Sequence, residues 1–167
     1  MIRPVNQQDA KAIADIYNYY ILNSVATFEV KTLTTKDMED RLNAHDPKYP
    51  WIVWDDKGVS GYAYATRWKA RAAYRHSVEI SVYVHNDHHG KGIGGQLYGA
   101  LLDILKGLEI HAVLGGISLP NETSIKLHEK FGFEKVAHLK EVGFKHGAWR
   151  DVGYWQLLLD FNAPSTD

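Results

Sequence analysis

Cysteine is absent from the 167 residues. That excludes disulfides, thiolate metal sites and a cysteine nucleophile. A surplus of charge is missing too: 19 Lys and Arg stand against 20 Asp and Glu, a formal net charge of −1. Such a chain has no global field to draw in nucleic acid or an anionic membrane, and neither is expected as a partner. No apolar run approaches the roughly 20 residues that cross a bilayer. Met1-Ile2-Arg3-Pro4-Val5 runs straight into Asn6, Gln7, Gln8 and Asp9, which leaves no apolar signal segment. Repeats, linkers and low-complexity tracts are lacking as well. What is present is ordinary globular composition, 45% hydrophobic and 23% charged, in a chain long enough for one core. We expect one domain over residues 1–161, a loose polar tail from Asn162 to Asp167, and a cytoplasmic location.

Periodicity divides the chain into elements. A helix is expected after Asp9 as its N-cap, with Ile13, Ile16, Tyr17 and Tyr20 on one face. A second starts near Thr35, with Met38 and Leu42 four apart. Trp51 to Trp54 and Ser60 to Thr66 read as a hairpin about Asp56-Lys57-Gly58. Val78 to Val84 alternates like a strand. A glycine-rich turn follows, then a helix bearing Leu97, Ala100, Leu101, Ile104 and Leu105. His111 to Leu114 reads as a short strand ended by Gly115-Gly116. Asn121 to Phe131 is a helix stopped by Gly132. Phe133 to His138 and Tyr154 to Phe161 read as strands. The order predicts an α/β (α+β) fold with a mixed sheet.

The strongest local signal is the run His89-Gly90-Lys91-Gly92-Ile93-Gly94-Gly95 between a strand and a helix. Glycines let backbone N–H groups approach an anion closely, and the helix N-terminus adds partial positive charge. A Walker loop would need Ser or Thr after the lysine, and Lys91 is followed by Gly92. A dinucleotide fingerprint would open the first strand, whereas two helices and a hairpin precede this one. The plain alternative is a glycine turn that binds nothing.

The stretch from His89 to Gly94 resembles the pyrophosphate loop of GNAT-type N-acetyltransferases. Asn121-x-x-Ser124-x-x-x-His128-x-x-x-Gly132-Phe133 resembles their second signature. Tyr49-Pro50-Trp51, Trp68-Lys69-Ala70-Arg71, Val82-Tyr83-Val84, Leu119-Pro120-Asn121, Gly143-Phe144-Lys145-His146-Gly147 and Asp151-Val152-Gly153-Tyr154-Trp155-Gln156 are similar to the phosphinothricin and methionine sulfoximine N-acetyltransferase branch. The resemblance runs from about Ile2 to Leu159. It departs at His89, where the family usually has Gln or Arg.

The resemblance implies acetyl transfer from acetyl-CoA, the co-substrate, to the amine of a small amino-acid analogue. It also implies two central strands that splay apart around CoA. Val82 and Val84 would pair with the pantetheine through their backbone, on a stretch that includes Tyr83. His89, Gly90, Lys91, Gly92, Ile93, Gly94 and Gly95 would hold the pyrophosphate, and Asn121 would bond the pantetheine arm. A homodimer is implied as well.

The chemistry asks for a base, an oxyanion donor and an acid for the leaving thiolate. Glu79 sits mid-strand among apolar residues, where a carboxylate is either paired or functional. Alternation puts it on one face with Ser81 and Tyr83. The resemblance makes Glu79 the base and His128 the acid. The oxyanion donor is expected on the backbone of Val82 to Val84. Lys69, Arg71 and Arg75 form a basic cluster with Trp68 and Tyr74, suited to a carboxylate. Lys69, Arg71 and Tyr74 match substrate-side residues of the branch, and Phe28 and Tyr83 are candidates for the same pocket. His85, His88 and His89 flank the loop with no metal-ligand spacing, so no metal is expected. His146 and Trp149 are placed in a loop. Two other readings stay open: a different small amine as acceptor, and an acetyl-CoA-binding sensor without turnover.

Overall fold

In the computed structural model, which describes residues 1–160, the first α-helix starts after Asp9 as expected, but the side chain that caps this corner is that of Asn6, one turn earlier. The Asn6 side chain accepts from the Gln8 N–H, while the Asp9 carboxylate takes the Asn6 N–H and both arms of the Arg3 guanidinium. Asp9 is only 5% exposed, so burial opposes its charge. Arg3 and the Asn6 N–H more than offset that and lower its pKa. A carboxylate lowered in this way stabilises the fold above its unfolded pKa, and the contribution fades as pH falls through the folded one, below 3.8. Arg3→Ala should therefore cost about 2 kcal/mol at neutral pH, because it leaves a buried charge half-satisfied. Urea denaturation measures this; a native midpoint would show that Asp9 needs no cation.

From that corner the chain runs β1 (Ile2–Pro4), α1 (Ala10–Asn23), α2 (Thr35–Ala44), β2 (Trp51–Asp55), β3 (Val59–Arg67), β4 (Ser77–Val84), α3 (Ile93–Lys106), β5 (Ala112–Ser118), α4 (Glu122–Lys130), β6 (Glu134–Lys145) and β7 (Ala148–Leu158). The expected α/β fold with a mixed sheet is the one observed. Its seven strands lie in the order β1-β2-β3-β4-β5-β7-β6, and only β4 and β5 are parallel. Both faces of β2 to β4 are covered. Val78, Ile80 and Ala63 pack with Leu97, Tyr98 and Leu101 of α3. Val53, Tyr62 and Tyr83 pack with Ile13, Ile16 and Tyr17 of α1 and Met38 of α2. Two-sided burial explains the unbroken apolar run Trp51-Ile52-Val53-Trp54.

Three sequence expectations change. β5 does not end at Gly115-Gly116 but continues through both to Ser118. β6 is far longer than Phe133 to His138, and it forms a hairpin with β7 about His146 and Gly147, both at positive φ. His146 is thus a hairpin turn residue, and Trp149 lies in β7 rather than in a loop. The expected tail from Asn162 to Asp167, and Phe161 before it, lie outside the described residues.

Candidate active site

The two parallel strands separate soon after they meet. Their pairing covers Ser77 to Glu79 against Ala112 to Leu114, and both strands then run on without each other. Backbone direction can be read from their outer neighbours. The His85 N–H bonds Ser60 O on the β3 side. Bonded and non-bonded pairs alternate in an antiparallel ladder. Ser81 and Tyr83 therefore turn their peptide groups to β3, and Ile80, Val82 and Val84 turn theirs into the fork. On β5 the Leu119 N–H bonds Asp151 O, so Gly116 and Ser118 face the fork from the other side. The V-shaped opening implied by the resemblance is present, edged by main-chain donors and acceptors.

At the wide end of the fork Val84 is already engaged. The Tyr20 hydroxyl donates to Val84 O at 2.7 Å and accepts from the Val84 N–H at 3.3 Å. His89 Nε2 lies 3.0 Å from the same hydroxyl and 3.1 Å from Val84 O. Of Val82 and Val84, only Val82 turns its peptide groups into the fork clear of Tyr20. The His89 ring turns back onto the strand. Gly90 and Gly92 both take φ of +77°, which side chains other than glycine rarely adopt. Ile93, Gly94 and Gly95 belong to the first turn of α3, so the loop proper is His89 to Gly92. The first N–H groups of α3 thus stand free at the loop's end. Asn121 caps α4: its Oδ1 accepts from the Ser124 N–H at 3.2 Å, which leaves its two amide hydrogens to donate elsewhere.

Deep in the fork, Gly115 and Gly116 turn to opposite faces. A Cβ on Gly115 would overlap the His128 ring; a Cβ on Gly116 would come within 2.8 Å of Glu79 Oε1. Glu79 and His128 therefore meet β5 from opposite sides of the sheet. Burial raises the Glu79 pKa, and the Lys69 charge with a backbone hydrogen bond from Gly116 partly offsets it. His128 is 5% exposed, and burial lowers its pKa. Its Nδ1 lies 2.7 Å from Ser124 O. A carbonyl can only accept, so Nδ1 carries the hydrogen and Nε2, buried without a partner, offers a lone pair. To act as the acid that the resemblance implies, the ring must first gain a proton at Nε2.

The acceptor-side candidates divide. The Lys69 ammonium lies 4.8 Å over the Trp68 ring and acts electrostatically on Glu79. Arg71 and Tyr74 are exposed on the same loop. Phe28 lies against Gly143 of β6, on a segment pinned by Lys145, whose ammonium donates to Thr27 O. Tyr83 is 8% exposed and packs among Tyr17, Tyr20 and Tyr62. It belongs to the core of the α1 face, which closes over this end of β4. Among the described residues no group of three or more His, Cys, Asp or Glu is disposed to hold a metal.

Sequence reasoning gave no part in the site to Tyr20, Gly115 or Gly116. A Gly-Gly pair inside an otherwise apolar strand was the available signal, since it marks close approach of other groups. Nothing local marked Tyr20.

A forked α/β sheet, with a glycine turn leading into a helix at its wide end and a carboxylate at its base, defines a domain for an extended phosphate-bearing ligand. The chain belongs to the GNAT acetyltransferase family: the acetyltransferase (GNAT) domain model matches residues 2–153. It is 40% identical over 164 residues to the phosphinothricin N-acetyltransferase of Streptomyces viridochromogenes, covering 98% of this chain and 90% of that one. It is 36% identical over 167 residues to the L-methionine sulfoximine/L-methionine sulfone acetyltransferase of Salmonella typhimurium, covering 97% and 96%. Its fold matches that of a phosphinothricin acetyltransferase from Sinorhizobium meliloti, solved in complex with acetyl-CoA. There the TM-score is 0.91 at 35% identity, over 95% of this chain and 88% of that one.

Proposed function

We propose that the protein transfers the acetyl group of acetyl-CoA to the free amine of a small amino-acid-like acceptor of the phosphinothricin or methionine sulfoximine type. The observation that carries this is the Glu79 carboxylate, partly buried where the strands part and beside the Lys69 charge. An amine is mostly protonated at neutral pH, and Glu79, with its raised pKa, takes that proton. The peptide groups of Val82 hold the pantetheine, and Asn121 donates to it. The His89 to Gly92 loop and the first turn of α3 receive the pyrophosphate. Lys69 and Arg71 bind the acceptor's carboxylate, with Tyr74 and Phe28 bordering the same space.

The reading includes a cytoplasmic homodimer for which resistance to such amino-acid analogues is one use. Exposed Val136, Val142, Phe144 and Trp149 on the β6–β7 hairpin, the last two 5.1 Å apart, support the dimer.

Thiol release from acetyl-CoA against a panel of amines tests the function. Phosphinothricin, methionine sulfoximine and methionine sulfone should release thiol. Ordinary amino acids should do so weakly, and spermidine and an aminoglycoside should not. Turnover confined to the cations would overturn the acceptor class. Binding of acetyl-CoA with no release on any amine would favour a sensor.

A further inference from the structure

The space beside Glu79 is walled by two side chains that have no task in the scheme above. Trp68 leaves the end of β3, and Tyr154 stands in β7 opposite Gly116. Their rings meet edge to face, 5.3 Å apart at 79°. Because Gly116 lacks a Cβ, Glu79 Oε1 and Tyr154 Cε1 share the room above it, 2.8 and 3.1 Å from where that atom would stand. The Lys69 ammonium lies over the Trp68 ring. Carboxylate, phenol, indole and ammonium are therefore gathered at one place, on the face of the sheet opposite His128.

Tyr154 is half-buried, and its hydroxyl makes no hydrogen bond within the described residues. Burial and the neighbouring Glu79 charge both raise its pKa above the ordinary phenol value, so it is a neutral donor at neutral pH. A phenol in a merely sealing pair could be phenylalanine without loss. A donor facing the space where an oxyanion-bearing acceptor sits could not.

We infer that Tyr154 and Trp68 form the acceptor wall of this site, Tyr154 donating its hydroxyl hydrogen to an oxygen of the acceptor and Trp68 packing against its methylene stem. The inference rests on the acetyl-transfer reading and names the acceptor more closely: an amino acid with a short apolar stem and anionic or strongly polar oxygens. Trp68 has a second effect. With Tyr154 it keeps water from Glu79, whose other charged or titratable neighbours are Lys69 on the loop after β3 and Tyr64 on β3.

The test uses the full chain and whichever acceptor the native protein acetylates best. Tyr154→Phe keeps the ring and removes one hydrogen bond to a charged group, so the acceptor KM should rise about tenfold. The KM for acetyl-CoA and the acid limb of kcat/KM should stay native. Trp68→Ala should move that acid limb toward the ordinary carboxylate range as water reaches Glu79; Trp68→Phe, which restores a ring, should move it back. A native acceptor KM in Tyr154→Phe, or an equal rise in both KM values, would overturn the assignment of Tyr154. An unmoved acid limb in Trp68→Ala would overturn the shielding role. If the native protein acetylates no amine at all, the acetyl-transfer reading fails first and this inference with it.

Discussion

Glu79→Gln lowers kcat by about 10²- to 10⁴-fold, the usual worth of a positioned base, and leaves acetyl-CoA affinity native. The amide still fits the space above Gly116 and can still accept from its N–H, so the fork keeps its shape. What it lacks is the ability to take a proton. The sign of the pH dependence follows from burial. Burial raises the Glu79 pKa more than Lys69 and Gly116 lower it. The active, ionised form is therefore lost on acidification at a pH above the ordinary carboxylate range, and kcat/KM falls there. In Glu79→Gln that limb should vanish along with the rate. Stopped-time thiol release from pH 5 to 9, beside calorimetric titration with acetyl-CoA, reads both quantities. A variant that keeps its rate would remove Glu79 as the base; one that loses acetyl-CoA binding would make it a structural residue of the fork.

The second large effect belongs to a residue with no side chain. Gly115→Ala places a Cβ inside the His128 ring. That ring cannot easily retreat. Its Nδ1 is held by Ser124 O, and Tyr98 and Phe133 meet it edge-on at 5.1 and 5.2 Å. Overpacking at such a site costs about 2 kcal/mol, and displacement of the imidazole should lower turnover as well. Gly116→Ala is the informative partner. Its Cβ meets the end of the Glu79 side chain and the Tyr154 ring, with less rigid backing, so stability should fall less and activity more. Urea midpoints and kcat, measured on both variants, separate the two faces of β5. If Gly115→Ala unfolds like the native protein, His128 is not wedged against the strand.

The parts of the site that were legible in the sequence are those written within one stretch of chain. The glycine turn lies between a strand and a helix, and Asn121, Ser124 and His128 share one helix and its cap. Their geometry follows from local rules. The fork itself was visible only through family resemblance, because no local pattern states where two parallel strands part. Gly115-Gly116 looked like a stop because the reason for the glycines lies elsewhere: His128 on α4 and Glu79 on β4. Tyr20 reaches Val84 from 64 residues away. Tyr83 alternates onto the face of Glu79, yet α1 closes over its end of the strand and makes it core. Only the start of β6 was legible, because it is an edge strand exposed along nearly all its length and no buried face imprinted an alternation beyond His138.

The placement of Glu79 and His128 on either side of β5 bears on the order of events. In the proposed function the glycine turn and Asn121, which precede α3 and α4, serve one side of the fork, and Trp68, Lys69 and Tyr154 border the other. Two ligands can thus arrive through separate doors and meet only at the gap between the strands. Neither has to depart before its counterpart enters, and no group of the protein has to carry the acetyl across. In that reading the sheet acts as a partition, and the gap between its parted strands is the window at which the two ligands face each other.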